Sequence, residues 1–194
     1  CERRGAQLIY VSTDAVYNGR KTGPYLESDA TAPLNLYGVT KLEGEGRALT
    51  CSRGLVLRTN IFGWRPVRHD RFGEWVLGAL RSRAPLTMFT DVLFTPIATT
   101  LLARVTESCI DKDVVGLFHA GGSEAISKCE FAFRVAAAYG LPTAGIVPIL
   151  VADKSLAAER PRNMALDSSL LAKRIGYAMP GIADSIRAWK ETEP

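Results

Sequence analysis

Several kinds of chemistry are absent from this 194-residue sequence. It has two histidines and four cysteines, Cys1, Cys51, Cys109 and Cys129. No two of these cysteines form a CxxC pair, and no histidine stands at metal-ligand spacing from any of them. That argues against a zinc site and a disulfide framework and for free cytosolic thiols, so no metal is expected. No run of eighteen apolar residues occurs, so no membrane-spanning helix is predicted. No signal-peptide pattern precedes the first apolar run, and the expected location is cytoplasmic. Internal repeats and low-complexity segments are lacking as well. The net charge is only +4, without a basic run, so no nucleic-acid arm is expected. The small basic excess fits a solvated surface or an anionic ligand equally well.

What remains is an ordinary globular composition. Hydrophobic residues make up 47% of the chain, enough to bury a substantial core in one domain, or in one domain with a small lobe. Short apolar runs alternate with helical patterns. Leu8–Val11 and Leu55–Leu57 read as parallel strands covered on both faces. A polar loop spans about Thr13 to Pro33, and a helix is predicted from about Asn35 to Cys51. Further helices are expected near Asp70–Arg83, Ser127–Tyr139 capped by Gly140, Ser168–Ile175 and Ile182–Lys190. Pro96 is placed in the first turn of a helix reaching Ile110. Leu86–Phe89, Gly116–Ala120 and the IVPI run complete the strands. This alternation predicts an α/β fold with a parallel sheet.

The chemistry concentrates in YGVTK, Tyr37–Lys41. Residues four apart share a helix face, so the tyrosine hydroxyl and the lysine ammonium point the same way. A cation beside a phenol favours the phenolate, and a phenol so tuned can exchange a proton during carbonyl–alcohol interconversion. Lysine has further donors for ribose hydroxyls. A bare YxxxK is a weak signal, and by itself reads as a surface tyrosine and a solvated lysine on an exposed helix face. Two strand ends strengthen it. Ser12-Thr13-Asp14 closes the first strand, and LRTN (Leu57–Asn60) closes the next, both where open α/β sheets place ligands. Thr13 by itself is a common turn-former, but together with Tyr37 and Lys41 it reads as catalytic. Glu43 and Glu45 read as solvated helix-face residues, His119 as a satisfied structural histidine and His69 as a loop residue. Trp64 and Trp75 read as packing residues.

VSTDAVYNG, ESDATAPLNLYGVTKLEGE and LRTN resemble the extended short-chain dehydrogenase/reductases, and within them the dTDP-4-dehydrorhamnose reductase branch. GLFHAGG and ERPRNMALDSSLL extend the likeness over essentially the whole chain. The resemblance implies the C-terminal portion of a Rossmann-type parallel sheet plus a smaller substrate-binding lobe. Residues 1–61 would hold the Tyr/Lys helix, and residues 62–194 the lobe with the remaining Rossmann elements. It implies NADP or NAD as cofactor, a nucleotide-sugar substrate and a homodimer as one state of the full-length protein. Tyr37 would give the proton, Lys41 would tune Tyr37 and hold the nicotinamide ribose, and Thr13 would bind the substrate carbonyl. Thr59 and Asn60 would lie at the cofactor. Asp14, Ile61 and Arg160 would contact the substrate, with the arginines around Pro161 suited to a diphosphate.

The chain departs from this family at two sugar-facing positions, where Ala15 and Ile61 replace aromatic residues. The branch's GxPT-like stretch is also altered, to Leu93–Ile97. The family's opening strand, GxxGxxG turn and helix have no counterpart here. The resemblance therefore implies that roughly a hundred residues of dinucleotide-binding half lie outside this chain, at about 25–30 residues per strand–helix unit. The first strand would then present an unpaired edge. Two other functions fit the same superfamily. One is a non-catalytic subunit of the methionine adenosyltransferase beta kind, and the other a sugar-nucleotide epimerase or dehydratase.

Overall fold

The computed structural model describes residues 1–64, 71–154 and 161–194. Strand β1 (Leu8–Thr13) takes in Ser12 and Thr13 beyond the expected Leu8–Val11. A 3-10 turn over Asp14–Val16 follows, and then helix α1 (Leu36–Leu49). Asn35 caps α1. Its side-chain oxygen accepts from the Gly38 backbone N–H at 2.9 Å, which satisfies one of the donors left over in a first helical turn. Next come β2 (Gly54–Thr59), β3 (Ile61–Phe62), α2 (Phe72–Ser82), β4 (Leu86–Phe89), β5 (Leu93–Phe94), β6 (Ile97–Ala98) and α3 (Thr99–Asp111). The chain continues through β7 (Gly116–His119), β8 (Ile126–Ser127), α4 (Lys128–Tyr139) and β9 (Ile146–Ile149). It closes with β10 (Asn163–Met164), α5 (Ser169–Ile175) and α6 (Ile182–Glu191).

Three parallel strands form the main sheet in the order β1-β2-β7. β1 and β2 run in register from Leu8↔Gly54 to Thr13↔Thr59, which brings their carboxyl ends level. β2 is central and all six of its residues are buried, as expected of a strand covered on both faces. β1 is an edge strand of this sheet, as is β7, and Val11 near the end of β1 is 41% exposed. The second region is built from short ladders: β10-β5-β8, β3-β6 and β4-β9. One core runs through both regions. Leu55 and Leu57 of β2 belong to the same buried cluster as Phe62, Phe94, Phe131 and Trp189, whose rings meet edge to face or tilted. Trp64 joins them, stacking against Trp189 at 4.8 Å and donating its indole N–H to the Trp189 carbonyl oxygen. Trp75 is 42% exposed and only leans on Phe72.

Two sequence expectations require correction. The helix after Pro96 starts at Thr99, because Ile97 and Ala98 pair with Ile61 and Phe62, so Pro96 precedes a strand and does not open the helix. Glu45 is not solvated. It is 2% exposed and faces the sheet, while Glu43 is exposed. Helix α2 begins at Phe72, and the expected start at Asp70 lies outside the described residues, as does His69. His119 is structural, as read from the sequence. Its Nδ1 donates to the Asp167 carbonyl oxygen at 3.1 Å, which leaves Nε2 to accept from the Tyr17 hydroxyl at 2.8 Å. All four cysteines are free, and no His/Cys/Asp/Glu cluster suited to a metal occurs among the described residues.

Candidate active site

The level carboxyl ends of β1 and β2 and the first two turns of α1 enclose a cavity of about 330 Å³. Thr13, Asp14, Tyr37, Lys41, Thr59, Asn60 and Ile61 all line it, together with Ser12 and Arg71. Seven of the eight residues singled out from sequence therefore meet in one place. The eighth, Arg160, lies outside the described residues.

Helix geometry grades the α1 side chains. Residues spaced by four advance about 40° around a helix at each step. Tyr37 is 56% exposed at the cavity mouth, Lys41 is half-buried and Glu45 is buried against the sheet. Lys41 Nζ donates to the Val11 carbonyl oxygen at 2.8 Å and stands 4.8 Å from the centre of the Tyr10 ring. Two of its three donors remain available. Gly38 explains how closely this helix approaches the strand end. A Cβ there would sit 2.3 Å from the Ala15 carbonyl oxygen and 2.8 Å from Pro33 Cβ.

A compact polar network forms the cavity floor. The Thr13 hydroxyl accepts from the Ala15 N–H at 3.2 Å and donates to Asp14 Oδ1 at 3.1 Å. The other Asp14 oxygen accepts from the Asn60 amide. Asp14 is 6% exposed, and burial raises its pKa from the usual carboxylate value against the opposing pull of Asn60, the Lys128 ammonium and Thr13. Asn60 thereby joins the end of β2 to the end of β1. The Thr59 hydroxyl donates to the Ala120 carbonyl oxygen at 2.7 Å, which ties it to the end of β7. Ile61 is 48% exposed at the rim.

Sequence reading missed the support beneath this floor. Arg58 donates through Nε and one terminal nitrogen to the two Glu45 oxygens at 2.9 and 2.6 Å, and through the other terminal nitrogen to Tyr17 at 2.6 Å. Ser12 donates to Glu45 at 2.5 Å. A signal was present in the sequence: an arginine inside the apolar run GLVLRT requires a buried anion. Lys128 was missed as well. It opens α4 with its ammonium 3.2 Å from the centre of the Phe94 ring, and burial lowers its pKa to about 8.

A second cleft, of about 690 Å³, lies between the loop Asn18–Gly23 and the segment Pro161–Asn163. Lys21, Lys154 and Arg162 line it, opposed by Asp91. Gly19 has a φ of 72°, and a Cβ there would meet Pro161 Cβ at 2.3 Å, so glycine is required on both counts. Asn163 laces the walls together, donating to the Lys21 carbonyl at 2.8 Å and also to that of Gly23.

Comparison with known proteins gives a consistent picture. A family model for the RmlD substrate binding domain matches residues 1–191. The chain is 34% identical to methionine adenosyltransferase 2 subunit beta of Pongo abelii, over 97% of this chain and 61% of that protein. It is 32% identical to dTDP-4-dehydrorhamnose reductase of Escherichia coli K12, over 91% of this chain and 62% of that protein. A crystal structure of dTDP-4-dehydrorhamnose reductase from Bacillus anthracis in complex with NADP superimposes with a TM-score of 0.85 at 22% identity, covering 97% of this chain and 66% of that one. The chain thus spans just under two thirds of the length of these proteins.

Proposed function

Because the chain belongs to the RmlD substrate binding domain family, we propose that it forms the sugar-binding and proton-donating portion of an NAD(P)H-dependent reductase. The substrate is a nucleotide-linked deoxysugar, reduced at its 4-keto group. The observation that carries this reading is the meeting of Thr13, Tyr37 and Lys41 at one cavity over the carboxyl ends of β1 and β2.

The residues present suit the nicotinamide end of a dinucleotide. Lys41 has two spare donors for ribose hydroxyls, and Thr59, Asn60 and Ile61 line the same cavity. When bound, the cofactor supplies hydride to the carbonyl carbon. The chain's own groups handle the oxygen. Tyr37, open to the cavity, gives its hydroxyl proton to the carbonyl oxygen, and the Lys41 ammonium on the same helix face stabilises the phenolate left behind. Thr13 receives the same oxygen by turning its hydrogen from Asp14 toward the substrate, while its lone pair stays on the Ala15 N–H. The second cleft, with Lys21, Lys154 and Arg162, suits the diphosphate of the nucleotide, and Arg160 belongs to the same segment of sequence.

The test uses the natural polypeptide that contains these residues. It is expected to oxidise NADPH or NADH when given a dTDP-4-keto-6-deoxy sugar, and Tyr37→Phe is expected to abolish turnover. Full activity in Tyr37→Phe overturns the assignment. A second reading, a non-catalytic subunit of a methionine adenosyltransferase, draws support from the 34% identical relative and from the small or aliphatic Ala15 and Ile61 at family aromatic positions. Stoichiometric co-purification with that enzyme, combined with no cofactor oxidation on any keto-sugar, would favour it.

A further inference from the structure

Side chains alternate along β1, so Tyr10 and Ser12 share the face that meets α1, where Ser12 donates to Glu45. Tyr10 meets the same helix at two places. The Lys41 ammonium stands 4.8 Å from the centre of its ring, and Gly44, three residues further on, lies against the far end of that ring. A Cβ at Gly44 would come within 2.2 Å of the Tyr10 hydroxyl oxygen and 2.5 Å of its Cζ, so the lack of a side chain there makes the slot in which the ring sits. Tyr10 is not among the residues that line the cavity, so its influence on the site passes through Lys41. Among the described residues nothing hydrogen-bonds the Tyr10 hydroxyl, which leaves the ring itself as the part that engages the lysine.

On the reductase reading above, Lys41 needs such a contact. A lysine side chain is a flexible four-carbon stem ending in a point charge, and ordering it costs conformational entropy. One hydrogen bond to the Val11 carbonyl oxygen leaves the ammonium free to pivot about that contact. The ring supplies a second anchor, because its quadrupole attracts the cation without consuming the hydrogens that other acceptors would use. Held at both points, the ammonium keeps two donors for the cavity and its place one helical turn from Tyr37. Tyr10 and Val11 are successive residues of β1, so the strand that delivers Thr13 to the site also sets the lysine.

We propose that Tyr10 is a positioning residue of the candidate active site: its ring is the second anchor of the Lys41 ammonium and fixes the charge that serves Tyr37 and the nicotinamide ribose. Tyr10→Phe keeps the ring, whereas Tyr10→Leu keeps apolar bulk and removes the ring.

Two measurements on the natural polypeptide test this. In carbon-13 spectra of lysine-labelled protein, Lys41 is assigned by its loss in Lys41→Arg. Ring currents should displace its Cε–H signals upfield in the wild type and in Tyr10→Phe, and Tyr10→Leu should return them to the ordinary lysine position. Signals at the ordinary position in the wild type, or unmoved in Tyr10→Leu, overturn the proposal. In steady-state kinetics, Tyr10→Leu is expected to lower kcat/KM for the reduced cofactor about three- to tenfold, the scale of a cation–π contact at a half-buried site. KM for the keto-sugar should stay unchanged, and Tyr10→Phe should retain most of the activity. In a Lys41→Met background, Tyr10→Leu should add no further loss. Wild-type kinetics in Tyr10→Leu, or a loss that persists without Lys41, overturns the positioning role. If the wild type oxidises no cofactor with any keto-sugar, the reductase reading fails, and the spectra still decide whether Tyr10 holds Lys41.

Discussion

Glu45 of α1 and Arg58 of β2 make a two-point ion pair beneath the cavity, with side chains 2% and 5% exposed. Two further groups complete it, since Ser12 donates to Glu45, and Tyr17 accepts from Arg58 and passes its own hydrogen to His119. The pair fixes how α1, which carries Tyr37 and Lys41, sits on the strands that carry Thr13 and Asn60. A buried pair of this kind is dangerous to break, because the survivor is left as an uncompensated charge.

Glu45→Ala is therefore expected to lower unfolding stability by about 3–5 kcal/mol, read by denaturant titration. Glu43→Ala, on the exposed face of the same helix, is expected to change it by less than about 0.5 kcal/mol. Equal effects would show that the Glu45–Arg58 pair does not clamp the helix.

Thr13→Val removes the hydroxyl while keeping the shape. On the proposed function, kcat/KM for the keto-sugar falls about a hundredfold with cofactor affinity unchanged. Thr13→Ser retains most activity, since it retains the donor. Wild-type turnover in Thr13→Val would remove Thr13 from the mechanism.

The glycines of α1 divide into two kinds. Gly38→Ala places a methyl group against the Ala15 carbonyl and Pro33 and should displace the helix, lowering both stability and activity. Gly46 has no atom within 4 Å of an added Cβ. Gly46→Ala should accordingly stabilise the fold by about 0.5–1 kcal/mol, the ordinary gain for an exposed helical glycine. Parallel melting curves of the two variants check both expectations, and a destabilised Gly46→Ala would contradict the placement of that residue.

His119 makes stability depend on pH. Burial and the Arg58 charge lower its pKa from 6.5 to about 4. Below 6.5 the unfolded chain takes up a proton that the folded chain refuses, so stability is full above that pH and is lost as the pH falls toward 4. The displacement corresponds to about 3 kcal/mol. Asp14, with its raised pKa, acts in the opposite sense, contributing stability at low pH that is lost as the pH rises. The His119 effect is therefore read as a difference: denaturation from pH 7 to 4.5 should show a shallower decline in His119→Gln than in wild type. Identical slopes would refute the buried neutral imidazole.

The sequence by itself determined the α/β alternation, the parallel strands Leu8–Val11 and Leu55–Leu57, and the alignment of Tyr37 with Lys41 on one face of a helix. Those features are local: apolar runs, helix periodicity, caps and the spacing of four that aligns Tyr37 with Lys41. The two-residue strands β3, β5, β6, β8 and β10 were illegible, because two residues cannot display a period of two. The tertiary structure alone decided that Glu45 is buried while Glu43 is not, and that Lys128 turns inward onto Phe72 and Phe94. A charged side chain reads as exposed in any local window, because desolvation is prohibitive without a partner. Its actual burial depends on whether Arg58, on another element, arrives to offset that cost, and only the folded chain brings the two together.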